Sequence, residues 1–270
     1  MNKKKNINLN EKKFHDKWAN VENPKKINVR FINEAVTAPE MRYIVKLLGN
    51  IKGKKILDLG CGLGEVSVYF ATKGADVTSV DLSQGMLHFS KKLAKINNTK
   101  INTHLASAEN FKLPISKKFD IIYAGNCLHH ANIKKSIKEI KKHLKPKGTF
   151  VSWDPIAYNP IINIYRKIAS KVRTDDEHPL KLKDINFIKK NFKNPQTKYF
   201  WLSTLLIFIW MYFFEKRNPN EERYWKSVIY ESNKWRLFYY PLYIVDEIFL
   251  TLIPPLKLLC WNVVIYGEKK

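Results

Sequence analysis

The sequence predicts an α/β fold built on a doubly wound, mostly parallel sheet. Short apolar stretches of strand length alternate with longer helical stretches up to residue 155. The predicted strands are 54–60, 75–81, 100–106, 119–125 and 148–154. Because roughly 10 to 20 helix-forming residues separate most consecutive strands, we expect helical crossovers and parallel pairing.

Three connecting segments carry apolar residues at helical spacing. They are residues 62–73, 83–96 and 131–144. Pro146 and Gly148 follow the third segment and are predicted to end it, because proline cannot continue a helix and glycine favours the turn beyond one. These segments therefore supply the helices of the parallel units.

After residue 155 the chain becomes aromatic and less regular. Residues 199–214 contain no charged side chain. As one helix they would be about 24 Å long, which is shorter than the roughly 30 Å hydrocarbon core of a bilayer. We therefore do not expect them to cross a membrane. Two further aromatic stretches follow, 224–240 and 242–253, and the second is broken by Asp246, Glu247 and the Pro254–Pro255 pair. A sixth strand is expected at about 192–200, and 260–267 is predicted to be the final strand.

Composition excludes several classes of protein. With 45% hydrophobic and 13% aromatic residues in 270, the chain can bury a core, so intrinsic disorder is not expected. Three scattered cysteines indicate neither a disulfide scaffold nor a zinc site. The basic start has no apolar run of signal-peptide length, so export is not expected.

The formal net charge is +24, from 48 Lys and Arg against 24 Asp and Glu. Such a charge would suit a nucleic acid or an anionic membrane. Lysine, however, greatly outnumbers arginine, and asparagine and isoleucine are abundant, which is typical of AT-rich codon usage. We interpret most of these lysines as solvated surface, and a nucleic-acid partner is not expected.

A glycine-rich loop follows the first predicted strand and opens a helix. Its glycines are Gly60, Gly62 and Gly64. Glycines allow a ligand to approach the backbone, and the helix start offers free N–H groups. A dinucleotide site of the G-x-G-x-x-G type would need a third glycine at position 65, which is Glu65. An acid there would repel a pyrophosphate, so the loop favours a nucleoside ligand without phosphates.

Two acidic residues complete this pattern. Asp81 ends the second predicted strand, where a carboxylate can accept hydrogen bonds from both ribose hydroxyls. Asp58 lies where the first strand meets the loop and would either orient the turn or face a ligand ammonium group. The combination points to S-adenosylmethionine as the ligand.

Residues 54–154 resemble the core of a class I S-adenosylmethionine-dependent methyltransferase. The matching motifs are ILDLGCGLG, VDLSQGML, SAENFKLP, and FDIIYAGNCLHH with LKPKGTFVSWDP. The resemblance implies a seven-stranded, Rossmann-like sheet with an antiparallel last strand and a helical, aromatic-rich insertion before it. It implies cofactor contacts by Asp58, Gly60, Gly62, Gly64, Asp81, Leu82, Ser107, Ala108 and Asn126. In the family an Asp usually occupies the position of Ser107, so a hydroxyl here replaces a carboxylate on the adenine.

The catalytic group is predicted among residues that follow the fourth and fifth strands, where a doubly wound sheet binds its ligands. Histidine is the natural base near neutral pH, and the candidates are His130 and His178. The alternative is that His129 and His130 cap a helix or pack beside the cofactor. Metal-binding quinone-type relatives carry an acid at the position of His129, so no metal is expected.

The predicted organisation has an N-terminal helical lid (1–50), a cofactor-binding core (51–200), a hydrophobic helical insertion (201–257) and a last strand with tail (258–270). In the insertion, aromatic residues are interleaved with lysines and arginines, which is typical of a membrane-interface surface. A lid over a hydrophobic acceptor and an oligomer interface are the alternatives, and the oligomeric state is left open.

These features predict methyl transfer to a hydrophobic small molecule or lipid, in the cytoplasm and peripherally at the inner membrane face. Two alternatives use the same cofactor. The lysine excess would suit an RNA methyltransferase, and a non-catalytic S-adenosylmethionine-binding partner protein would use the aromatic surface for association.

Overall fold

The computed structural model describes residues 2–174 and 177–270, with side chains from residue 9 onward. Its strands are β1 (Lys55–Leu59), β2 (Asp76–Asp81), β3 (Asn102–Leu105), β4 (Phe119–Gly125), β5 (Leu144–Pro155), β6 (Phe192–Phe200) and β7 (Asn262–Lys269). They form one seven-stranded sheet in the order β3-β2-β1-β4-β5-β7-β6. β7 pairs antiparallel with β5 and β6, and the other neighbours are parallel. The predicted α/β fold is confirmed.

Helices lie on both faces of the sheet. They are α1 (Asn2–Val21), α2 (Val29–Glu34), α3 (Pro39–Leu48), α4 (Glu65–Thr72), α5 (Gln84–Ile96), α6 (Ile133–His143), α7 (Pro160–Ile168), α8 (Leu182–Lys190), α9 (Leu206–Phe213), α10 (Tyr224–Tyr230) and α11 (Ser232–Leu252). Successive β1 residues face opposite sides, so Ile56 belongs to one buried cluster and Leu57 to the other. Both faces are covered, which explains why the strands read as continuous apolar runs.

The aromatic insertion between β6 and β7 differs from the sequence prediction. Residues 199–214 do not form one helix, because β6 runs to Phe200 and α9 begins only at Leu206. The turn between them is held by the buried carboxylate of Asp246, which accepts hydrogen bonds from the backbone N–H groups of Leu202 and Ser203. The helix α11 continues through residues 246–247 without the predicted interruption. The carboxylate of Asp246 is tolerated inside the fold because these backbone N–H groups pair with it.

The N-terminal helix lies against the cofactor-binding half of the sheet. Asp16 of α1 accepts hydrogen bonds from the Ser83 hydroxyl and, at 3.0 Å, from the Gly85 N–H at the start of α5. These contacts fix the end of α1 beside the turn that follows β2. The carboxyl edge of the sheet is therefore covered from above by α1.

Candidate active site

The loop after β1 has the conformation that its glycines allow. Gly60 has φ +70°, and a Cβ added to it would lie 2.5 Å from Cys127 Sγ. Gly64 has φ +81°, and its Cβ would lie 2.3 Å from Ser90 Cβ in α5. Both positions therefore exclude a side chain. Gly64 is required for packing against α5 and lines neither of the two cavities described below, so its predicted cofactor contact stays a prediction.

Asp81 is held at the rim of this loop. Its Oδ2 accepts a hydrogen bond from the Gly62 N–H at 2.9 Å, and its Oδ1 accepts one from the Ser83 N–H at 2.8 Å. Burial raises the pKa of Asp81, while the backbone N–H groups oppose that shift. A carboxylate has about four acceptor positions, so two remain for ribose hydroxyls. Beside Gly62 a Cβ would meet nothing within 4 Å, which leaves room for a nucleoside.

Two cavities meet at the glycine loop. The smaller, of about 70 Å³, is lined by the predicted ribose and adenine residues Asp81, Leu82, Ser107 and Ala108. The larger, of about 240 Å³, includes Asp58. Both are lined by Gly60, Gly62, Asn126 and His130. A ligand lying across the loop would thus place a nucleoside in one cavity and its other end in the next, so these residues fit S-adenosylmethionine.

Asp58 contributes a buried carboxyl group to the larger cavity. Its Oδ2 accepts a hydrogen bond of 2.5 Å from the Ser67 hydroxyl, which in turn accepts one of 2.7 Å from Ser79. Burial raises the pKa of Asp58 to about 7, with a further contribution from Asp81. A ligand ammonium group placed here would favour the ionised carboxylate, which agrees with the predicted role of Asp58.

A buried histidine and aspartate form a pair in the wall of the same cavity. His129 Nδ1 lies 3.0 Å from Asp154 Oδ1, and the His129 backbone N–H donates to the same oxygen at 3.2 Å. Burial lowers the pKa of His129 well below 6.5 and raises the pKa of Asp154 to about 8. Because burial disfavours charge on both groups, it favours the neutral imidazole and the protonated carboxyl near pH 7. With Nδ1 facing Asp154, Nε2 is the ring atom left for another partner.

The two predicted catalytic histidines have different surroundings. His130 lines both cavities, and its Nδ1 lies 3.9 Å from a Glu11 carboxylate oxygen. His178 is exposed and lines neither cavity, although its backbone N–H donates to the His129 carbonyl at 2.8 Å. The structure therefore brings His130 to the site and leaves the His178 side chain outside it.

Sequence reasoning did not join His129 to Asp154. The sequence assigned no acid to His129, and 25 positions separate it from Asp154. Their pairing depends on the parallel register in which Gly125 lies beside Trp153. The sequence does indicate that the ends of neighbouring parallel strands lie close together. Without the register between the strands, it does not show which acid pairs with which histidine.

His129, His130 and Glu177 also offer atoms that lie within 4.8 Å of one another, a spacing that suits a metal ion. Two existing contacts compete for them. Glu177 forms an ion pair with Arg173, and His129 Nδ1 faces Asp154. The absence of a metal from the reaction stays a prediction.

Helices α1 and α10 close the larger cavity from above. The Arg223 guanidinium lies 3.9 Å from the centre of the Trp18 ring, and Lys226 lies 3.1 Å from a Glu22 oxygen and 3.5 Å from a Glu65 oxygen. Trp18, Arg223, Lys226 and Glu65 all line this cavity. Glu65 is the residue whose charge would repel a pyrophosphate ligand. In the structure it joins the start of α4 to Lys226 of α10.

Comparison with known proteins identifies the family. Residues 57–152 match the model of a methyltransferase domain. The chain is 31% identical over 180 residues to an uncharacterized protein of Methanocaldococcus jannaschii, covering 64% of this chain and 71% of that one. It is 32% identical over 123 residues to a ubiquinone biosynthesis O-methyltransferase of Rickettsia akari (strain Hartford), or 45% of each chain. It spans about half the length of the curated ubiquinone biosynthesis O-methyltransferases it matches.

A solved structure gives the same fold. Geranyl diphosphate C-methyltransferase from Streptomyces coelicolor A3(2) superimposes with a TM-score of 0.58, covering 87% of this chain and 76% of that one at 13% identity. Together, the sheet order and the glycine loop with Asp81 define a site that fits a nucleoside. Residues 57–152 are a methyltransferase domain, and the residues of its site fit S-adenosylmethionine as the methyl donor.

Proposed function

We propose that this enzyme methylates a hydroxyl group of a hydrophobic, aromatic small molecule. The observation that carries the proposal is the larger cavity, which adjoins the glycine loop and holds the His129–Asp154 pair. Nine aromatic side chains line it. The rings are those of Phe14, Trp18, Tyr123, Trp153, Tyr165, Trp201, Trp225, Tyr230 and Trp261. The names of the ubiquinone biosynthesis O-methyltransferases support an acceptor of this kind.

The pair provides a base for an acceptor hydroxyl. Bound S-adenosylmethionine supplies an electrophilic methyl group on a positively charged sulfur. Because burial and the neighbouring His130 and Arg173 lower the pKa of His129, its ring is neutral at pH 7 and Nε2 can take the hydroxyl proton. Asp154 Oδ1 faces Nδ1 and holds the ring in the orientation and tautomer that leave the Nε2 lone pair free, as a buried acid does for a catalytic histidine elsewhere.

The lining of the cavity favours a small acceptor over RNA. Its cations are Arg173, Arg223 and Lys226, and its acids are Glu40, Asp58, Glu65 and Glu177. An RNA site would need an excess of basic groups around the opening. This balance does not favour a polyanionic acceptor such as RNA.

The proposal is tested by transfer of label. The purified enzyme is incubated with methyl-labelled S-adenosylmethionine and either a panel of alkylated catechols and phenols or an extract of its own organism. We expect label in organic solvent, as an O-methyl group by mass spectrometry, and at least tenfold less of it with Asp81→Ala at a cofactor concentration below the wild-type Kd. Label in RNA, or on nitrogen or carbon, would contradict the proposal.

We further propose that the enzyme works peripherally at the inner face of the cytoplasmic membrane. In the part of the chain described, no helix is both long and apolar enough to span a bilayer. The insertion nevertheless exposes large apolar side chains on α9 and α11, which we call the apolar face. They are Trp210, Phe213, Phe214, Leu237, Phe238, Tyr240, Ile244, Ile248, Phe249 and Leu252.

Three observations support a lipid surface as the partner of the apolar face. Leu237 is 88% exposed and Leu252 is 72% exposed. Large apolar side chains exposed together on one face mark a surface that contacts a membrane or another protein. The rings of Trp210 and Phe238 lie 6.0 Å apart, so α9 and α11 present one continuous surface. Exposed Lys216 and Arg236 lie in the same insertion and would attract anionic headgroups.

Vesicle flotation tests this membrane contact. We expect the wild-type enzyme to float with vesicles containing anionic phosphatidylglycerol and more weakly with neutral phosphatidylcholine vesicles. Leu237→Asp combined with Leu252→Asp should reduce the bound fraction at least tenfold, because it places charge on the apolar face. Ile115→Asp, at a 61% exposed position outside the insertion, is the matched control. Equal binding by both variants would count against the membrane proposal.

A further inference from the structure

Arg166, a partly buried arginine behind the larger cavity, has two buried hydrogen-bond donors that no described residue pairs. Arg166 lies on α7, and its Nη1 donates to Asn163 Oδ1 at 2.8 Å. Its Nε and Nη2 are buried, and no hydrogen-bond partner for them exists among the described residues. Buried polar groups are almost always paired, and a charged group left without partners is costly. The two donors therefore indicate a missing acceptor.

Two neighbouring residues place further hydrogen-bond donors in the wall of the cavity. Arg173 and Thr174 line it directly. The Thr174 hydroxyl is buried and has no partner among the described residues. Arg173 has a side chain only 15% exposed and pairs with Glu177. We call Arg166, Arg173 and Thr174 the arginine cluster.

The arginine cluster has more positive charge than the described acids around it balance. Burial and the neighbouring Arg173 lower the pKa of Arg166 to about 10. Arg173 also contributes to lowering the pKa values of Arg223 and His129, so its field extends across the cavity wall. Such mutual destabilisation of cations is relieved by a bound anion.

The other acids that line the cavity are occupied elsewhere. Glu40 accepts a hydrogen bond from Asn262, Asp58 accepts one from Ser67, and Glu65 contacts Lys226. Glu177 is the one lining acid with a contact to the cluster, and it is already paired with Arg173. The protein groups described here thus leave the donors of Arg166 and Thr174 unsatisfied.

We propose that the arginine cluster binds a carboxylate of the methyl acceptor, which is therefore an amphipathic aromatic acid. This inference rests on the proposed function, because it places the acceptor hydroxyl at His129 and its carboxylate at Arg173 and Thr174, within the field of Arg166. A carboxylate matches the planar donor pattern of a guanidinium and accepts hydrogen bonds from a hydroxyl as well. The apolar remainder of the acceptor contacts the aromatic wall.

A pair of catechols that differ in charge tests the assignment by kinetics. The probes are 3,4-dihydroxybenzoate and its neutral analogue 4-methylcatechol. We expect the wild-type enzyme to have at least a tenfold lower KM for the acid at similar kcat. Arg166→Met and Thr174→Val should each reduce this preference to about twofold or less, chiefly by raising KM for the acid. Arg30→Met, at an 80% exposed position, is the matched control.

A binding measurement keeps the inference separate from the proposed function. Benzoate and benzamide are titrated by calorimetry into enzyme saturated with S-adenosylhomocysteine. We expect benzoate to bind at least tenfold more tightly than benzamide to the wild type and equally to Arg166→Met and Thr174→Val. Failure to methylate either catechol while benzoate binding behaves in this way would remove the O-methylation proposal and keep the carboxylate site. Equal binding of benzoate and benzamide to the wild type would overturn the carboxylate site.

Discussion

At the scale of single residues, the groups that fit the cofactor and the proposed base lie in different cavities on either side of the glycine loop. Asp81 holds the Gly62 N–H from the side of the smaller cavity, whereas His129 and Asp154 face the larger one. The sequence identified Asp81 because an acid at the end of the second strand has a fixed place relative to the glycine loop. It did not identify the histidine–aspartate pair, which depends on the register between two strands.

Loss of the Asp81 carboxylate should weaken cofactor binding. We expect Asp81→Ala to raise the Kd for S-adenosylmethionine about 10-fold to 100-fold, because hydrogen bonds to a charged group contribute about 1.5–3 kcal/mol. Calorimetric titration measures the change. Asp76→Asn, at the opposite end of β2, is the control and should bind normally. An unchanged Kd for Asp81→Ala would remove the assigned ribose contact.

Substitution of the histidine–aspartate pair should affect kcat and leave cofactor affinity unchanged. We expect His129→Gln and Asp154→Asn to lower kcat by about 10²-fold to 10⁴-fold, the usual contribution of a positioned base. The exposed His178→Gln variant is the control, and a larger loss there would show that the base is misassigned. Incubation with EDTA should leave kcat unchanged if the reaction needs no metal.

The pH profile of the wild-type enzyme checks the same base. Because burial lowers the pKa of His129 below 6.5, its neutral form dominates at and above pH 7. We therefore expect the ionisation of His129 to lower kcat only on acidification below pH 6.5, and any change near pH 8 to come from Asp154 and to be absent in Asp154→Asn. A steep rise in kcat between pH 7 and 8 that persists in Asp154→Asn would indicate a base with a higher pKa.

Among the elements, the strands were predicted closely and the insertion was not. The predicted strand at 119–125 matches β4 in both bounds, because alternating apolar runs and turn residues mark strand ends locally. The helix expected at 199–214 is shortened because Asp246, more than thirty residues further along the chain, anchors the turn that precedes α9. Helices α1 and α10 likewise meet over the cavity through contacts between distant parts of the chain.

Breaking the contact between α1 and α10 should loosen the cover of the cavity. We expect Lys226→Met to increase hydrogen exchange of α1 amides about threefold to tenfold, because Lys226 bridges Glu22 and Glu65 in a largely buried position. Mass spectrometry of exchanged peptides, with and without S-adenosylhomocysteine, measures this. Lys46→Met, at an exposed position of α3, is the control. Unchanged exchange in α1 would show that α10 does not hold the cover.

At the scale of the whole molecule, buried acids link stability to pH. Glu40, Asp58 and Asp154 all have pKa values raised by burial. A raised pKa in the folded state means that the contribution to stability is complete below the unfolded pKa and is lost as pH rises through the folded value. These three acids therefore stabilise the fold most when they are protonated, and this effect is separate from the net charge of +24.

Replacing Glu40 should reduce this pH dependence. Burial raises the pKa of Glu40 from 4.5 to about 7, and Gln can still accept the hydrogen bond from Asn262. Relative to wild type, we expect Glu40→Gln to gain on the order of 2–3 kcal/mol in free energy of unfolding between pH 5 and pH 8. Urea denaturation of the ligand-free protein measures this. The exposed Glu221→Gln variant should follow the wild type, and a parallel curve for Glu40→Gln would contradict the expected ionisation.

The sequence alone determined the α/β class, the strands of the core, the glycine loop and Asp81. These features follow from local periodicity, from the backbone freedom of glycine and from a fixed distance along one chain segment. Tertiary structure alone decided which histidine meets Asp154, where α9 begins, and that Nε and Nη2 of Arg166 are buried without a partner among the described residues. Each of these features depends on strand register or on packing between residues far apart in the chain. Such packing decides which groups are buried, and burial decides their charge state and their hydrogen-bond partners.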